Sequence, residues 1–407
     1  MTASAPEVVP TDALTPATIP TRSLWIVGTA TFASMANMRM VDPILPQIAT
    51  DFSITVGAAA AIVTVFSVAY GFAQIVLGPL GDRQGKYVVI AAGSALAGVA
   101  TLGIALAATF EMVRVLRFAA GLFAAAIIPL AFAWIGDGIA YEKRQATLAR
   151  FITSTIFGGI FGQTIGGVIT DAYGWRASFG VIGALHILAA IVMLADRPPS
   201  PPTPVARYRV ADTALAALAV LRIPLARTVL LTVAMTALVM FSTIAYVGAD
   251  LNARFKATPG TIGLIMAAFP VGSLVFVAGV TRFVQALGEV RLVVVGSILI
   301  AIGFGLMFAL PALWLAPVAL AILGLGFMMF HNTLQTNATQ MAPESRGLGV
   351  SLFAFTLFMA QSIGVEIYAS IVDRVGVRPV YLISSIVMLL AAQVFRIRRR
   401  AILQQHP

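Results

Sequence analysis

The chain has 407 residues, 59% of them hydrophobic and only 10% charged, with a mean hydropathy of +0.96. Soluble domains carry about a quarter charged residues, so this composition describes a chain that crosses a membrane repeatedly. The absence of cysteine excludes disulfides, thiolate metal sites and cysteine nucleophiles, and three scattered histidines (His186, His331, His406) exclude a histidine metal cluster.

The formal charge of +10 does not argue for nucleic acid, because the lysines and arginines gather at the ends of apolar runs, as membrane topology requires. Residues 1–22 are rich in Pro, Thr and Ala and lack a basic start, so they read as a disordered cytoplasmic tail and not a cleaved signal peptide. Apolar runs of about 20 residues qualify as spanning helices. Six fall near 24–48, 57–77, 87–108, 111–134, 147–169 and 177–195. Six more fall near 226–249, 260–281, 291–310, 313–336, 347–370 and 377–395. Between the sets, 196–225 opens on Arg197-Pro-Pro-Ser-Pro-Pro and is the only long polar stretch inside the chain. It predicts a cytoplasmic linker between bundles at 23–195 and 226–396, with a second cytoplasmic tail at 397–407. Most basic residues then face the cytoplasm, which predicts a multi-pass protein of the cytoplasmic (inner) membrane with both termini inside.

The halves repeat. Ile169-Thr-Asp171-Ala-Tyr-Gly174-Trp-Arg176 aligns with Ile371-Val-Asp373-Arg-Val-Gly376-Val-Arg378, and Arg144 with Arg346, at an offset of 202. Phe52 and Thr55-Val-Gly57 align with Phe255 and Thr258-Pro-Gly260, and Gly85 with Gly288, one residue further on. A repeat with an even number of spans keeps its topology, so the halves are parallel repeats about an axis along the membrane normal. That arrangement places a substrate cavity between them near the midplane.

Ionisable and polar groups inside spans are functional candidates by default. The first span carries Asn37, Arg39 and Asp42; the last two are three apart and share a helix face. Pro43 cannot donate to the carbonyl of Arg39, nor Pro46 to that of Asp42, so the outer end of this helix is opened and kinked. Such backbone must line a cavity or pack on protein. The fourth span carries Arg117, whose charge demands an anionic partner, while Arg114 snorkels to headgroups. The fifth holds Gly158-Gly-Ile-Phe-Gly162-Gln163-Thr-Ile-Gly166-Gly167, a small-residue face that predicts tight packing against a neighbour across the interface between the halves. The tenth carries His331 near Asn332, Gln335 and Asn337, read first as a histidine satisfied by backbone and second as a substrate or proton ligand. The eleventh carries Gln361 and Glu366. At ~1.5 Å of rise per residue, Arg39, Asp42, Arg117 and Glu366 all fall in the outer half of the membrane. We expect one buried network there, with Asp42 or Glu366 changing protonation state; burial and a nearby arginine act on such a carboxylate in opposite directions. A self-neutralised Arg39–Asp42 pair with a purely structural role is the competing reading. Phe32, Met35, Met38, Met40 and Phe269 offer an adaptable apolar surface.

Between the second and third runs stands Gly78-Pro-Leu-Gly-Asp82-Arg83-Gln-Gly85-Lys86-Tyr87, a short connection whose glycines permit tight turns. Its spacing resembles the loop between helices two and three of the major facilitator superfamily of secondary transporters. Arg117-Phe-Ala-Ala-Gly121 is similar to that family's fourth-helix motif. Gly158 to Gly167 resembles the fifth-helix motif of its proton antiporters, except that Gln163 stands where the family has proline, which removes the expected kink. The resemblance implies an all-α membrane fold of twelve transmembrane helices in two six-helix parallel pseudo-repeats. It further implies a proton-coupled transporter that exports a small organic compound by alternating access, with import of a small organic anion together with protons as the alternative. By the same resemblance, Gly78, Asp82, Arg83, Gly85 and Lys86 form a conformational gate, with the start of the eleventh helix near Arg346 as the counterpart of Asp82. Neither a cofactor nor an enzymatic activity is expected, and the internal repeat lets a monomer suffice. No phosphate-binding loop of the G-x-x-x-x-G-K-[ST] form is present, which disfavours an ATP-driven pump.

Overall fold

The computed structural model describes residues 19–139, 141–196, 198, 210–342 and 346–405. The expected N-terminal tail up to residue 18, linker residues 199–209 and Glu344 lie outside the described residues. All regular structure among the described residues is helical: α1 (Thr21–Arg39), α2 (Val41–Asp51), α3 (Val56–Ala59), α4 (Ala61–Gln84), α5 (Lys86–Ala105), α6 (Phe110–Ala124), α7 (Ile127–Gly138), α8 (Tyr141–Tyr173) and α9 (Trp175–Asp196) make the first half. A linker helix α10 (Val210–Val220) follows. The second half holds α11 (Pro224–Phe255), α12 (Pro259–Met266), α13 (Ala268–Ala309), a 3-10 turn at Leu313–Leu315, α14 (Ala316–Ala338), α15 (Arg346–Val375) and α16 (Arg378–Gln405).

Ten helical stretches among the described residues are long and apolar enough to cross a membrane. One of them, Pro259–Ala309, reverses at Gly288 and supplies two crossings. The first span, α1 with α2, is the remaining one; Arg22, Asn37 and Arg39 lower the hydropathy of α1. The result is a twelve-helix membrane fold with both ends of the helical chain on one face, here called the terminal face.

Breaks in the helices follow their sequences. The first span divides after Arg39, where Pro43 leaves that carbonyl without a donor. α3 and α12 are short first turns of the second and eighth spans, each capped by a threonine hydroxyl: Thr55 accepts from the Ala58 N–H and Thr258 from that of Thr261. Reversals at Gly85 (φ 90°) and Gly288 (φ 67°) need a backbone conformation that side chains disfavour, and the two glycines occupy equivalent places in the repeat. The charged connection after the second span is more helical than the sequence suggests. α4 continues to Gln84, so Gly78, Asp82 and Arg83 are helical and the turn falls at Gly85 alone.

Within the first half α1 packs on α8 and α9, α5 on α9, and α4 on α6; within the second, α13 packs on α14 and α16, and α11 on α15 and α16. The seam between halves is formed chiefly by α4 with α15, α8 with α12, and α2 with α11, with α3 on α15 and α2 on α12 beside them. The glycine face of α8 packs as closely as its spacing predicts, but mainly inside its own half and not across the interface. Of Gly158, Gly162, Gly166 and Gly167, the last alone meets the other half, at Pro259, because the first three are turned toward α1 and Met40. A Cβ on Gly158 or Gly162 would meet the α1 backbone at Phe32 and Ala36, and the equivalent Gly364 of α15 rests on Leu238 of α11 in the same way. α8 is continuous from Tyr141 to Tyr173, as expected with Gln163 in place of proline.

Candidate functional site

The polar interior of the first half is built on the residues just before the α1 break. Asn37 faces the middle of its bundle, fully buried, and joins three helices. Its side-chain amide donates to Thr101 Oγ1 of α5 (2.8 Å) and lies 3.5 Å from His186 Nε2 of α9. Its Oδ1 accepts from Arg117 Nη1 of α6 at 2.9 Å. Arg117 is only 1% exposed, and its guanidinium also donates to the carbonyls of Asn37 (3.3 Å) and Ile62 (3.4 Å). Phe66 lies flat beneath it, 4.2 Å from ring centre to guanidinium carbon. The expected anionic partner is absent: among the described residues Arg117 makes no ion pair, and neutral acceptors with an aromatic face take that place. Hydrogen bonds to a charged group contribute about 1.5–3 kcal/mol each, and a desolvated cation over a ring about 2 kcal/mol. Together these offset a desolvation penalty of several kcal/mol.

His186 and Ser94 complete this network; the serine hydroxyl lies 3.2 Å from His186 Nδ1 and donates to the His186 carbonyl at 3.0 Å. Neither was singled out from sequence. Ser94 and Thr101 stand seven residues apart, and so on one face of α5; that polar spacing in an apolar helix was the available signal.

Beyond the break, Asp42 lies on the seam, 3% exposed, with Gly248 of α11 packed against its own carbonyl. Gln163 of α8 donates to Asp42 Oδ2 at 3.3 Å, and the Gln163 Oε1 is buried without a partner. Arg39 Nη1 stands 3.8 Å from the same carboxylate oxygen, inside ion-pair range but beyond a hydrogen bond. Its guanidinium lies over the ring of Phe241 from α11, 4.8 Å from its centre. Arg39 is therefore a half-buried cation that donates no hydrogen bond among the described residues, while Asp42 holds one long bond and one loose pair. Of the expected network, the structure brings Arg39 and Asp42 together and adds Gln163 to them, while Arg117 is held apart by Asn37 in the interior of the first half.

Glu366 does not join them. It lies on the exposed face of α15 with Ile363 and Ile367, because the buried face is set by Gly364, Val365 and Tyr368 against α11. Rise along a helix carries no information on rotation about it, and it is the rotation of α15 that keeps Glu366 out of the network. Gln361 faces the seam instead, donating to Ser67 Oγ of α4 at 3.1 Å. His331 has no backbone hydrogen bond among the described residues, contrary to the first reading; it stacks on Phe327 (4.9 Å between ring centres, 20° between planes) and approaches Phe353. Phe327 in turn meets Phe241 and Phe269, so an aromatic cluster runs from beneath Arg39 to His331. Asn337 turns away to Glu289, which also takes Arg399.

At the terminal face Asp82 pairs with Lys86 (2.5 Å), and Lys86 also reaches Asp137 (2.8 Å). The partner of Asp82 thus comes from its own half. The Arg346 side chain lies outside the described residues, although α4 and α15 do pack together. Arg83 is exposed. Arg114 pairs with Glu111 at the far end of its helix, in keeping with an anchoring role.

The profile of the Major Facilitator Superfamily matches residues 27–252 and 229–405. The chain is 23% identical over 352 residues to the uncharacterised MFS-type transporter YceJ of Bacillus subtilis, covering 84% of this chain and 86% of that one. It is 24% identical over 171 residues to YybF of the same organism, 42% of each chain, and 26% identical over 191 residues to the efflux pump radE of Floropilus chiversii, 46% of this chain and 35% of that one. The match thus spans less than half the length of the last two. Among solved structures, a bacterial homologue of the human lysosomal transporter Spinster superposes with a TM-score of 0.71 at 16% identity, covering 94% of this chain and 97% of that one. The POT family transporter PepTSo superposes at 0.76 and 15%, covering 94% and 99%. These two likenesses concern the fold. The family match, which spans nearly the whole chain, identifies it as a member of the Major Facilitator Superfamily, a membrane transporter of small molecules.

Proposed function

We propose that this transporter exports a small organic compound from the cytoplasm in exchange for protons, with Asp42 as the proton-carrying carboxylate. The observation that carries this reading is the way Asp42 is held. It is buried on the seam between the two halves, yet its bonds to Gln163 and Arg39 are long (3.3 and 3.8 Å). A carboxylate so placed can exchange its arginine for a proton when the seam opens, and the freed Arg39 and the aromatic cluster below it are the surface a solute would meet. The likeness to a protein named as an efflux pump supports the direction. In this reading bundles 23–195 and 226–396 rock about the seam, both termini face the cytoplasm as the basic residues predict, and a monomer suffices.

A second reading, import of an organic anion together with protons, draws on Arg39, whose donors have no acceptor among the described residues. An anion there would draw Arg39 from Asp42 and favour protonation of the carboxylate, which couples the two in the same direction. Everted membrane vesicles with an acid interior and a pH-sensitive dye separate the readings. Solute-triggered alkalinisation of the lumen is expected for export by exchange. If no solute of a broad panel dissipates the gradient, while right-side-out vesicles take up organic anions in step with protons, the second reading replaces the first.

A further inference from the structure

The face opposite the termini is closed by two contacts that the internal repeat relates to one another. Asp171, at the end of α8, accepts hydrogen bonds from the Thr258 hydroxyl (2.7 Å) and the Gly260 N–H (2.9 Å) at the start of α12. Asp373, at the end of α15, accepts from the Thr55 hydroxyl (2.7 Å) and the Gly57 N–H (2.8 Å) at the start of α3. Each carboxylate belongs to one half and each pair of donors to the other, so all four bonds cross the seam. The two threonines are also the helix caps described above. One hydroxyl therefore joins the carboxylate to the first turn, and moving the carboxylate disturbs the cap. Glycine is required opposite both carboxylates: a Cβ on Gly260 would come within 2.5 Å of Asp171 Oδ2, and one on Gly57 would collide with Asp373. Neither aspartate has an ion pair among the described residues, so these bonds are what the carboxylates do.

We propose that Asp171 and Asp373 are paired gating residues, two symmetry-related clasps that hold this face shut and must both release for the transporter to open there. A half that rocks as a rigid body pivots at the seam, and two clasps on opposite flanks of that seam resist the motion together where one would leave a hinge. The assignment holds whichever solute is carried and in whichever direction.

The native chain has no cysteine, so spin-label pairs can be placed directly. Leu106→Cys with Trp314→Cys, both strongly exposed at this face, reports its opening. Gln84→Cys with Gln285→Cys reports the terminal face. In lipid nanodiscs, Asp171→Ala with Asp373→Ala is expected to lengthen the first distance and shorten the second, raising the ratio of the two states about tenfold. Each single variant is expected to give a smaller and similar shift, and the Asp→Asn versions, which keep one acceptor oxygen, an intermediate one. Gly57→Ala with Gly260→Ala keeps both carboxylates but wedges them apart, and should move the distances the same way. Thermal melting establishes which variants fold. Unchanged distances in whichever double variant folds would overturn the proposal, and a lowered melting temperature without a distance shift would make the aspartates structural only.

Discussion

The two halves share a backbone plan and hold opposite interiors. Gly162 rests on Ala36 just as Gly364 rests on Leu238, and Gly121 on Phe66 just as Gly324 on Phe269. Carried through that register, the buried Asn37, Thr101, Arg117 and His186 of the first half correspond to Val239, Phe304, Leu320 and Met388 of the second, all buried and all apolar. The second half keeps its charge near its outer end, where Asp250 takes Arg254 at 3.0 Å and the Tyr381 hydroxyl at 3.1 Å. Backbone contacts between helices were retained in both copies, while the chemistry inside was not. A cycle in which one half manages charge and the other presents an aromatic wall to the solute needs only one polar core, and a second would add its own desolvation penalty.

The two halves are expected to differ most at their buried aspartates. Asp42→Asn is expected to abolish solute-driven proton movement in vesicles while the protein still folds, because the amide keeps the shape and loses the titrating group. Asp250→Asn should leave that coupling in place. Coupling lost equally in both would show that the halves share the proton chemistry, against the reading above. Next in size is Asn37→Val, which installs the residue of the second half at the equivalent position. Arg117 then loses its 2.9 Å acceptor inside an apolar bundle. A loss of about 2–4 kcal/mol follows from the unpaired charge, read as a large drop in the melting temperature of the purified protein. A drop no larger than that of an apolar swap, under about 1.5 kcal/mol, would mean that Phe66 and the backbone carbonyls hold the arginine unaided.

A second variant pair tests the part of the plan that the halves share. Gly162→Ala and Gly364→Ala each push a methyl into the backbone of the neighbouring helix. Each should cost about 1–3 kcal/mol of stability by overpacking, and the two losses should be similar. A large inequality would show that the helix contacts have diverged along with the interiors.

The spans, their order and the repeat were legible because each rests on local pattern: apolar length, basic flanks and matched turns. The Arg39–Asp42 pair and the break before Pro43 were legible for the same reason, since partners and donors lie within one helical turn. What was not legible is rotation. A helix in an apolar chain does not announce which side meets lipid, so the sequence does not reveal that Glu366 turns to the exposed face of α15. His186 was passed over for the converse reason: its partners Asn37 and Ser94 come from other helices, and nothing local marks it as interior. Asp171 and Asp373 stood out in the sequence as matched residues of the repeat, but their donors lie in the opposite half, and only the packed structure shows the bonds.

The smallest effect is expected at Asp82. Its carboxylate is half-exposed and bonded to Lys86, which keeps Asp137 as a second partner. Exposed or half-exposed pairs contribute at most about 1 kcal/mol, so Asp82→Asn should scarcely change melting. The equivalent of Lys86 in the second half is Glu289, held by Asn337 and Arg399, so both copies brace the ends of their helices with a charge of opposite sign. If that brace matters for rocking between states, Asp82→Asn slows turnover a few-fold and leaves solute affinity unchanged, which a comparison of KM with maximal rate would read. Affinity falling in proportion to rate would instead make Asp82 part of the binding surface. That outcome would undo the separation of a charged core from a charged rim on which the comparison of the halves depends.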